Sequence, residues 1–276
     1  WVIRGRALFD LQRYEEALEA FDRAIEINPE DYWAWVIRGR ALFDLQRYEE
    51  ALQAFDRAIE INPEGYEGWV NRGAALGNLQ RYEEALQASD RAIEINPESY
   101  EGWHNRGRAL GNLQRYEEAL QAFERAIEIN PEDYWAWYNR GAALFDLQRY
   151  EEALQAFERA IEINPESYWA WYYRGHALGN LQRYEEALQA SDRAIEINPE
   201  EDKGWVFKGS ALFNLQRYEE ALQAFDRAIE INPKDEWIFI KAIPCLKISI
   251  REFAQKNYGN SVHHLNSAMD SFLKVW

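Results

Sequence analysis

Apolar and small residues recur along this chain three and four positions apart, the spacing of one face of an α-helix. Trp137, Arg140, Gly141, Leu144 and Leu147 form one such stripe and predict a first helix, A. Tyr150, Ala153, Leu154, Phe157, Ala160, Ile161 and Ile163 form a second stripe and predict helix B. Glu151 and Glu152 fall in the first turn of B, where the helix dipole favours negative charge. Asn164 and Pro165 end it, because proline lacks the amide proton and disfavours the helical conformation at the residue before it. Ser167 then offers an N-cap oxygen to the next A helix, as Asp31, Ser99 and Asp133 do elsewhere. A tight turn near Gln148 and Arg149 makes A and B an antiparallel pair.

The pair is written again and again. Trp1, Trp35, Trp69, Trp103, Trp137, Trp171 and Trp205 are spaced by 34, and so are Pro29, Pro63, Pro97, Pro131, Pro165, Pro199 and Pro233. The expected units are 1–34, 35–68, 69–102, 103–136, 137–170, 171–204 and 205–238. Gly141 and Ala153 fall where the two helices of a unit cross, and a small residue there lets the backbones approach. Ala160 is expected to face the next unit's A helix. Residues 239–276 break the pattern at Pro244, yet Tyr258, Ser261, Val262, Leu265, Ala268 and Met269 keep the helix B spacing. A degenerate eighth pair capping the array is expected there, with helices near 244–256 and 260–275.

The pattern Trp-x2-Arg-Gly-x2-Leu…Tyr-x2-Ala-x3-Phe…Pro over 34 residues resembles the tetratricopeptide repeat. The resemblance implies an all-α fold, a right-handed superhelical solenoid of antiparallel helix pairs, each burying its apolar face on its neighbours. There are two departures. A cation (Arg4, Arg38, Arg72, Arg106, Arg140, Arg174, Lys208) precedes the glycine where the family often has leucine, and it is expected to pair with acids on the neighbouring helix. Ser89 and Ser191 replace the helix B phenylalanine, so units three and six are expected to pack less well, since an unfilled phenylalanine site costs about 3–5 kcal/mol.

Composition narrows the chemistry. A net charge of −17 opposes nucleic acid and anionic membrane as partners, since both demand a positive surface. From Phe239 onward Lys241, Lys247, Arg251, Lys256 and Lys274 outweigh Glu252 and Asp270, so an acidic body ends in a basic tail. A lone cysteine, Cys245, excludes an internal disulfide and reads as a buried structural thiol. It fits a reducing compartment. The compartment is otherwise open, with the cytoplasm favoured. His104 and His176 lie in different units, and His263 and His264 diverge on one helix, so no metal site is expected. No catalytic constellation and no phosphate loop stands out, so neither enzyme activity nor a cofactor is expected.

Variation between copies concentrates in helix A, at offsets −2, +1, +2, +5, +8 and +9 from the repeat tryptophan. These fall on one helical face. In the family that face lines a concave groove for an extended peptide. The resemblance therefore implies a groove formed by Trp33, Trp135 and Trp169 at −2; Val36, Val70, His104, Tyr138, Tyr172 and Val206 at +1; Ile37, Asn71, Asn105, Asn139, Tyr173 and Phe207 at +2; and Arg40, Arg108 and His176 at +5. Phe43, Phe145, Phe213, Asp44, Asp146, Asn78, Asn112 and Asn180 complete it. Aromatic side chains on an exposed face are costly unless they serve recognition. The +8/+9 pair alternates between Phe-Asp and Gly-Asn, a pattern that shuffled duplication also explains.

The expected function is a non-enzymatic interaction scaffold holding a peptide or protein segment, with a basic stretch on the ligand to suit the acidic body. A second reading is head-to-tail self-assembly through the uncapped first unit and the basic tail. A third is a module of a longer, enzymatic chain, since the sequence opens at Trp1 rather than methionine.

Overall fold

The computed structural model describes residues 1–233 together with Lys241, Pro244, Cys245, Lys247 and Ile248. The chain forms two compact units, Trp1–Arg149 and Tyr150–Trp276. The first holds α1 (Val2–Asp10), α2 (Tyr14–Ile27), α3 (Tyr32–Asp44), α4 (Tyr48–Ile61), α5 (Tyr66–Asn78), α6 (Tyr82–Ile95), α7 (Tyr100–Asn112), α8 (Tyr116–Ile129) and α9 (Tyr134–Asp146). The second holds α10 (Tyr150–Ile163), α11 (Tyr168–Asn180), α12 (Tyr184–Ile197), α13 (Asp202–Asn214) and α14 (Tyr218–Ile231). Odd-numbered helices are A and even-numbered are B. No strand is present among the described residues. The capping pair expected over 239–276 lies outside the described residues, apart from the five isolated positions above.

Helix ends follow the sequence closely. Asp31 accepts from the Ala34 amide at 3.2 Å, Ser99 from Gly102 at 3.1 Å, Asp133 from Trp135 at 3.0 Å and Ser167 from Ala170 at 3.2 Å. Each supplies an acceptor that the first turn lacks. The A-to-B turn has a geometry the stripes do not announce. The Gln46 amide donates to Phe43 O at 2.8 Å and the Arg47 amide to Leu42 O at 2.9 Å. That is a Schellman closure, which needs a left-handed residue just past the helix. The residue is glutamine in every turn, with φ between 58° and 60° from Gln12 to Gln216.

Within a pair, the glycine of A is a seat for the phenylalanine of B. A Cβ on Gly107 would lie 2.5 Å from the Phe123 ring, and one on Gly209 2.6 Å from Phe225. Phe21, Phe55, Phe157 and Phe225 are wholly buried. At these positions glycine makes room for a ring.

Between pairs, the cation row finds its acids on the preceding B helix. Arg38 meets Asp22, Arg72 meets Asp56 and Arg106 meets Asp90, each at 2.7 Å; in the second unit Arg174 meets Glu158 at 3.1 Å and Lys208 meets Asp192 at 2.7 Å. Lys241 pairs with Asp226 in the same manner. The same cations lie over the repeat tryptophans, as Arg72 does over Trp69 at 5.9 Å. From Trp35 to Trp205 each repeat indole N–H in turn donates to a proline carbonyl six residues earlier at 2.9 Å, as Trp69 does to Pro63. Successive A helices of the first unit touch one another, whereas successive B helices make no comparable contact among the described residues. The stack therefore curves inward on the A side within that unit.

Two further placements differ from the sequence expectation. Cys245 is exposed rather than buried. Repeat six is not left with the empty site that Ser191 suggests, because Phe207 of the following repeat fills it. Because a left-handed glutamine is strained where glycine is not, Gln80→Gly or Gln114→Gly is expected to raise stability by roughly 0.5–1 kcal/mol. Guanidinium unfolding followed by circular dichroism checks this; a loss of stability would contradict the strain.

Candidate functional site

The A face of the first unit carries a hollow, and its origin lies in two small residues. In repeats one, two and seven the +8 phenylalanine packs edge-on or tilted against the tyrosine that opens helix B: Phe9 on Tyr14, Phe43 on Tyr48, Phe213 on Tyr218, at 5.2–5.4 Å. Repeats three and four have Gly77 and Gly111 there, and a Cβ on either would meet nothing within 4 Å. The space becomes a hollow of about 210 Å³ lined by Gly107, Arg108, Gly111, Asn112, Tyr116, Phe123, Asn139, Ala142, Ala143 and Asp146. A smaller hollow adjoins across Arg108, between Gly73, Gly77, Tyr82 and Asn105.

Ser89 explains the second hollow. It is buried where other B helices carry phenylalanine, and its Oγ turns back to donate to Ala85 O at 2.8 Å. No ring replaces the missing one. Asn105 crosses to the preceding A helix, α5, instead, donating from Nδ2 to Val70 O at 3.1 Å. Arg108 reaches over this polar floor. It is exposed and forms no ion pair among the described residues.

Asn139 and His104 meet beside the larger hollow. Asn139 Nδ2 donates to His104 Nε2 at 3.0 Å, which leaves the ring proton on Nδ1. Burial, and secondarily the Arg108 charge, pushes the His104 pKa down to about 3, so the ring is neutral and the acceptor is kept. Asn112 ties its own Nδ2 to Arg108 O at 2.8 Å. The Asn112 and Asn139 side-chain oxygens, the Asp146 carboxylate and the Arg108 guanidinium together offer both acceptors and donors, which suits amide-rich chains.

The other expected groove residues divide into three groups. Trp33, Trp135 and Trp169 are 50%, 57% and 39% exposed. Arg40 is exposed with its guanidinium over the Phe9 ring at 5.3 Å. Tyr138 packs with Tyr134 and Trp135, Phe43 and Phe145 are half-buried, and Asn71 bonds its own helix at Glu67 O. Val36 and Ile37, by contrast, are 2% and 7% exposed and do not line a surface. Ile37 packs against Phe21 of the preceding pair. In the second unit Tyr173 stacks on Phe157 at 5.7 Å in the same way. The +2 offset faces the neighbouring repeat, because a stacked helix has two buried faces rather than one.

Phe207 goes further. A Cβ on Gly175 would lie 2.7 Å from its ring, so Phe207 of repeat seven occupies the seat that Ser191 of repeat six leaves empty. His176 stacks on it at 4.4 Å, and burial pushes the His176 pKa down to about 4. Tyr172 adds an edge contact at 6.2 Å. Sequence reading missed Tyr116, Gly111 and Ala142 as lining residues. The signal was present in the Gly-Asn repeats, where a missing side chain marks a space.

The helix pairs, the phenylalanine seats and the proline-closed junctions repeat every 34 residues, and residues 4–66, 38–100, 104–168 and 170–236 match the sequence pattern described as tetratricopeptide repeat. The chain belongs to the tetratricopeptide repeat family. A solved structure described as YrrB, a tetratricopeptide repeat protein with an unusual peptide-binding site, is similar at 28% identity, covering 68% of this chain and 96% of its own, with a TM-score of 0.55. MamA 41-end from Desulfovibrio magneticus RS-1 is similar at 24% identity over 62% and 96%, with a TM-score of 0.58. PilF of Pseudomonas aeruginosa is similar at 17% over 76% and 96%, with a TM-score of 0.68. The last two share the tetratricopeptide repeat fold. No curated protein matches the chain. Among the described residues no cluster of metal-binding side chains occurs, and no helix is long and apolar enough to cross a membrane.

A double-mutant cycle tests the borrowed ring. Phe207→Ala is expected to cost about 3–5 kcal/mol and Ser191→Phe about 1–3 kcal/mol by overpacking. The double variant is expected to recover most of both losses, because the ring introduced on the B helix then takes its own seat. Additive losses in denaturant unfolding would show that the two sites are independent.

Proposed function

We propose that this chain is a non-enzymatic protein–protein interaction scaffold whose A-helix face holds an extended peptide or protein segment. The observation that carries the reading is the hollow around Arg108, flanked by exposed tryptophan on the same face. Exposed indoles give rigid anchors at low entropic cost, and a pocket of this size accepts one side chain. Arg108, Asn112 and Asn139 present donors and acceptors to a backbone that would otherwise lose its hydration. Tetratricopeptide repeat proteins in general are interaction scaffolds, and YrrB, described as having a peptide-binding site, supports the peptide reading.

Peptides selected from a random library on the wild-type chain supply the test. Arg108→Ala and Trp135→Ala are each expected to weaken the selected peptides roughly tenfold. Gly111→Phe is expected to do the same while keeping full helicity, because other repeats carry phenylalanine at that position, as at Phe9, Phe43, Phe145 and Phe213. Unchanged affinity in all three variants would remove the groove from consideration.

The exposed outer face of the first pair gives a second reading, head-to-tail association. Ile3 is 86% exposed where its counterpart Ile37 is 7% exposed, and Ala7 is exposed where Ala41 is buried. Later repeats cover the same face with the pair before them, so a helix pair of a second copy, or of a longer chain preceding Trp1, would fit it. Sedimentation at rising concentration is expected to show larger species that Ile3→Glu abolishes; a monomer at all concentrations rejects this reading.

A further inference from the structure

The chemistry around the larger hollow of the first unit narrows what can enter it. Arg108 is the +5 residue of repeat four and Asp146 the +9 residue of repeat five, so one cation and one anion line the same space of about 210 Å³. They form no ion pair with each other or with another described residue. The two asparagines of the lining are fixed in orientation. Asn112 Nδ2 is held by Arg108 O at 2.8 Å, and Asn139 Nδ2 by His104 Nε2 at 3.0 Å. Each has its Oδ1 left over as an acceptor. Asn112 Oδ1, Asn139 Oδ1 and the Asp146 carboxylate therefore accept, the Arg108 guanidinium donates, and the Tyr116 hydroxyl does either.

A side chain that enters displaces water from these groups and has to return the lost hydrogen bonds. The side chains of a partner can be sorted on that demand. A carboxylate suits Arg108 but brings a second negative charge beside Asp146, and lysine or arginine suits Asp146 but brings a second positive charge beside Arg108. Leucine or methionine answers neither. A hydroxyl brings one donor where acceptors are in excess. A primary carboxamide has an acceptor oxygen, two N–H donors and no net charge. Its oxygen suits the guanidinium, and its N–H groups suit the carboxylate and an asparagine oxygen.

We propose that the Arg108 hollow is a receptor for the carboxamide of an asparagine or glutamine side chain in the bound segment, with Arg108 and Asp146 as the two groups that select it. This inference rests on the reading of the A face as the surface that holds a peptide, and it names the side chain that enters. The chain contains its own comparisons. Arg6 and Asp44 stand at the same two offsets in repeats one and two, yet Phe9 packs there on Tyr14, at the offset that Gly111 leaves bare. In the second unit Gly179 is bare at that offset too, but the Phe207 ring lies 3.4 Å from where its Cβ would be. At Arg108 the two charges and the open space coincide.

The test titrates the full nitrogen-labelled chain with acetylated pentapeptide amides of alanine that differ at the central residue. Glutamine and asparagine are the carboxamides, and glutamate, lysine and methionine are the controls. The Gly111 amide signal, identified by its loss in Gly111→Phe, reports entry. At least one carboxamide peptide is expected to shift it and to bind roughly tenfold more tightly than every control. Asp146→Asn is expected to remove the discrimination against glutamate, because the charge that repels it is gone. Repeats three, four and six carry asparagine at this offset, as Asn78, Asn112 and Asn180, so the fold is kept. A merely structural role for Asp146 would weaken all the peptides alike. The proposal is overturned if a control binds as tightly as the better carboxamide, if no peptide moves the Gly111 signal, or if Asp146→Asn leaves the discrimination unchanged. In those cases library peptides that still depend on Arg108 and Gly111 would keep the groove with another side chain in it, and loss of that dependence would remove the groove as well.

Discussion

A helix pair of this kind cannot bury its own apolar surface, and the ring-on-glycine seat is what makes the burden shareable. Phe21, Phe55, Phe123 and Phe225 each close over the glycine of their own A helix, and a following pair then covers such a ring from the far side. Ile37 over Phe21 and Tyr173 over Phe157 are two instances. Burial is therefore a property of neighbours. The charged contacts that accompany it are mostly exposed at one partner, and such pairs contribute little each. Their regularity fixes register: an arginine that must reach an acid sixteen residues back, while lying on its own tryptophan, allows one stacking and few others.

The functional surface follows from departures at that seat and beside it. Where serine replaces phenylalanine, the structure answers in two ways. In the second unit a ring from the following repeat fills the space. In the first unit nothing apolar fills it, and Asn105, Arg108 and the two bare glycines leave a polar hollow. The same local loss thus gives a sealed core in one place and an open site in the other. The residue two positions past the next tryptophan, Phe207 or Asn105, decides which.

Much of this was legible beforehand. The two stripes, the proline stops and the four capping side chains read directly as helix pairs, because each depends on residues near in sequence. The cation row announced that acids had to face it, although not which ones, since the sixteen-residue return is a property of packing. Three features stayed hidden for physical reasons. Val36 and Ile37 read as surface because they vary, but variation next to a neighbour's ring is variation in a core. Gln46 and its equivalents gave no sign of a left-handed turn, since glutamine has no preference for it. The Arg108 hollow is made by absent atoms, and an absence leaves a trace only when copies with and without the side chain stand in one chain.

Phe207 has a consequence for how this molecule is put together. An array of self-contained units can lose, gain or exchange any of them at the boundaries. Repeat six cannot be treated so. Its core is completed by a side chain that belongs to repeat seven, so a cut between them at residue 204 would divide one interior into two unfinished halves. The repeating unit of the sequence and the cooperative unit of the structure part company there, and recombination at that junction must carry both repeats or neither.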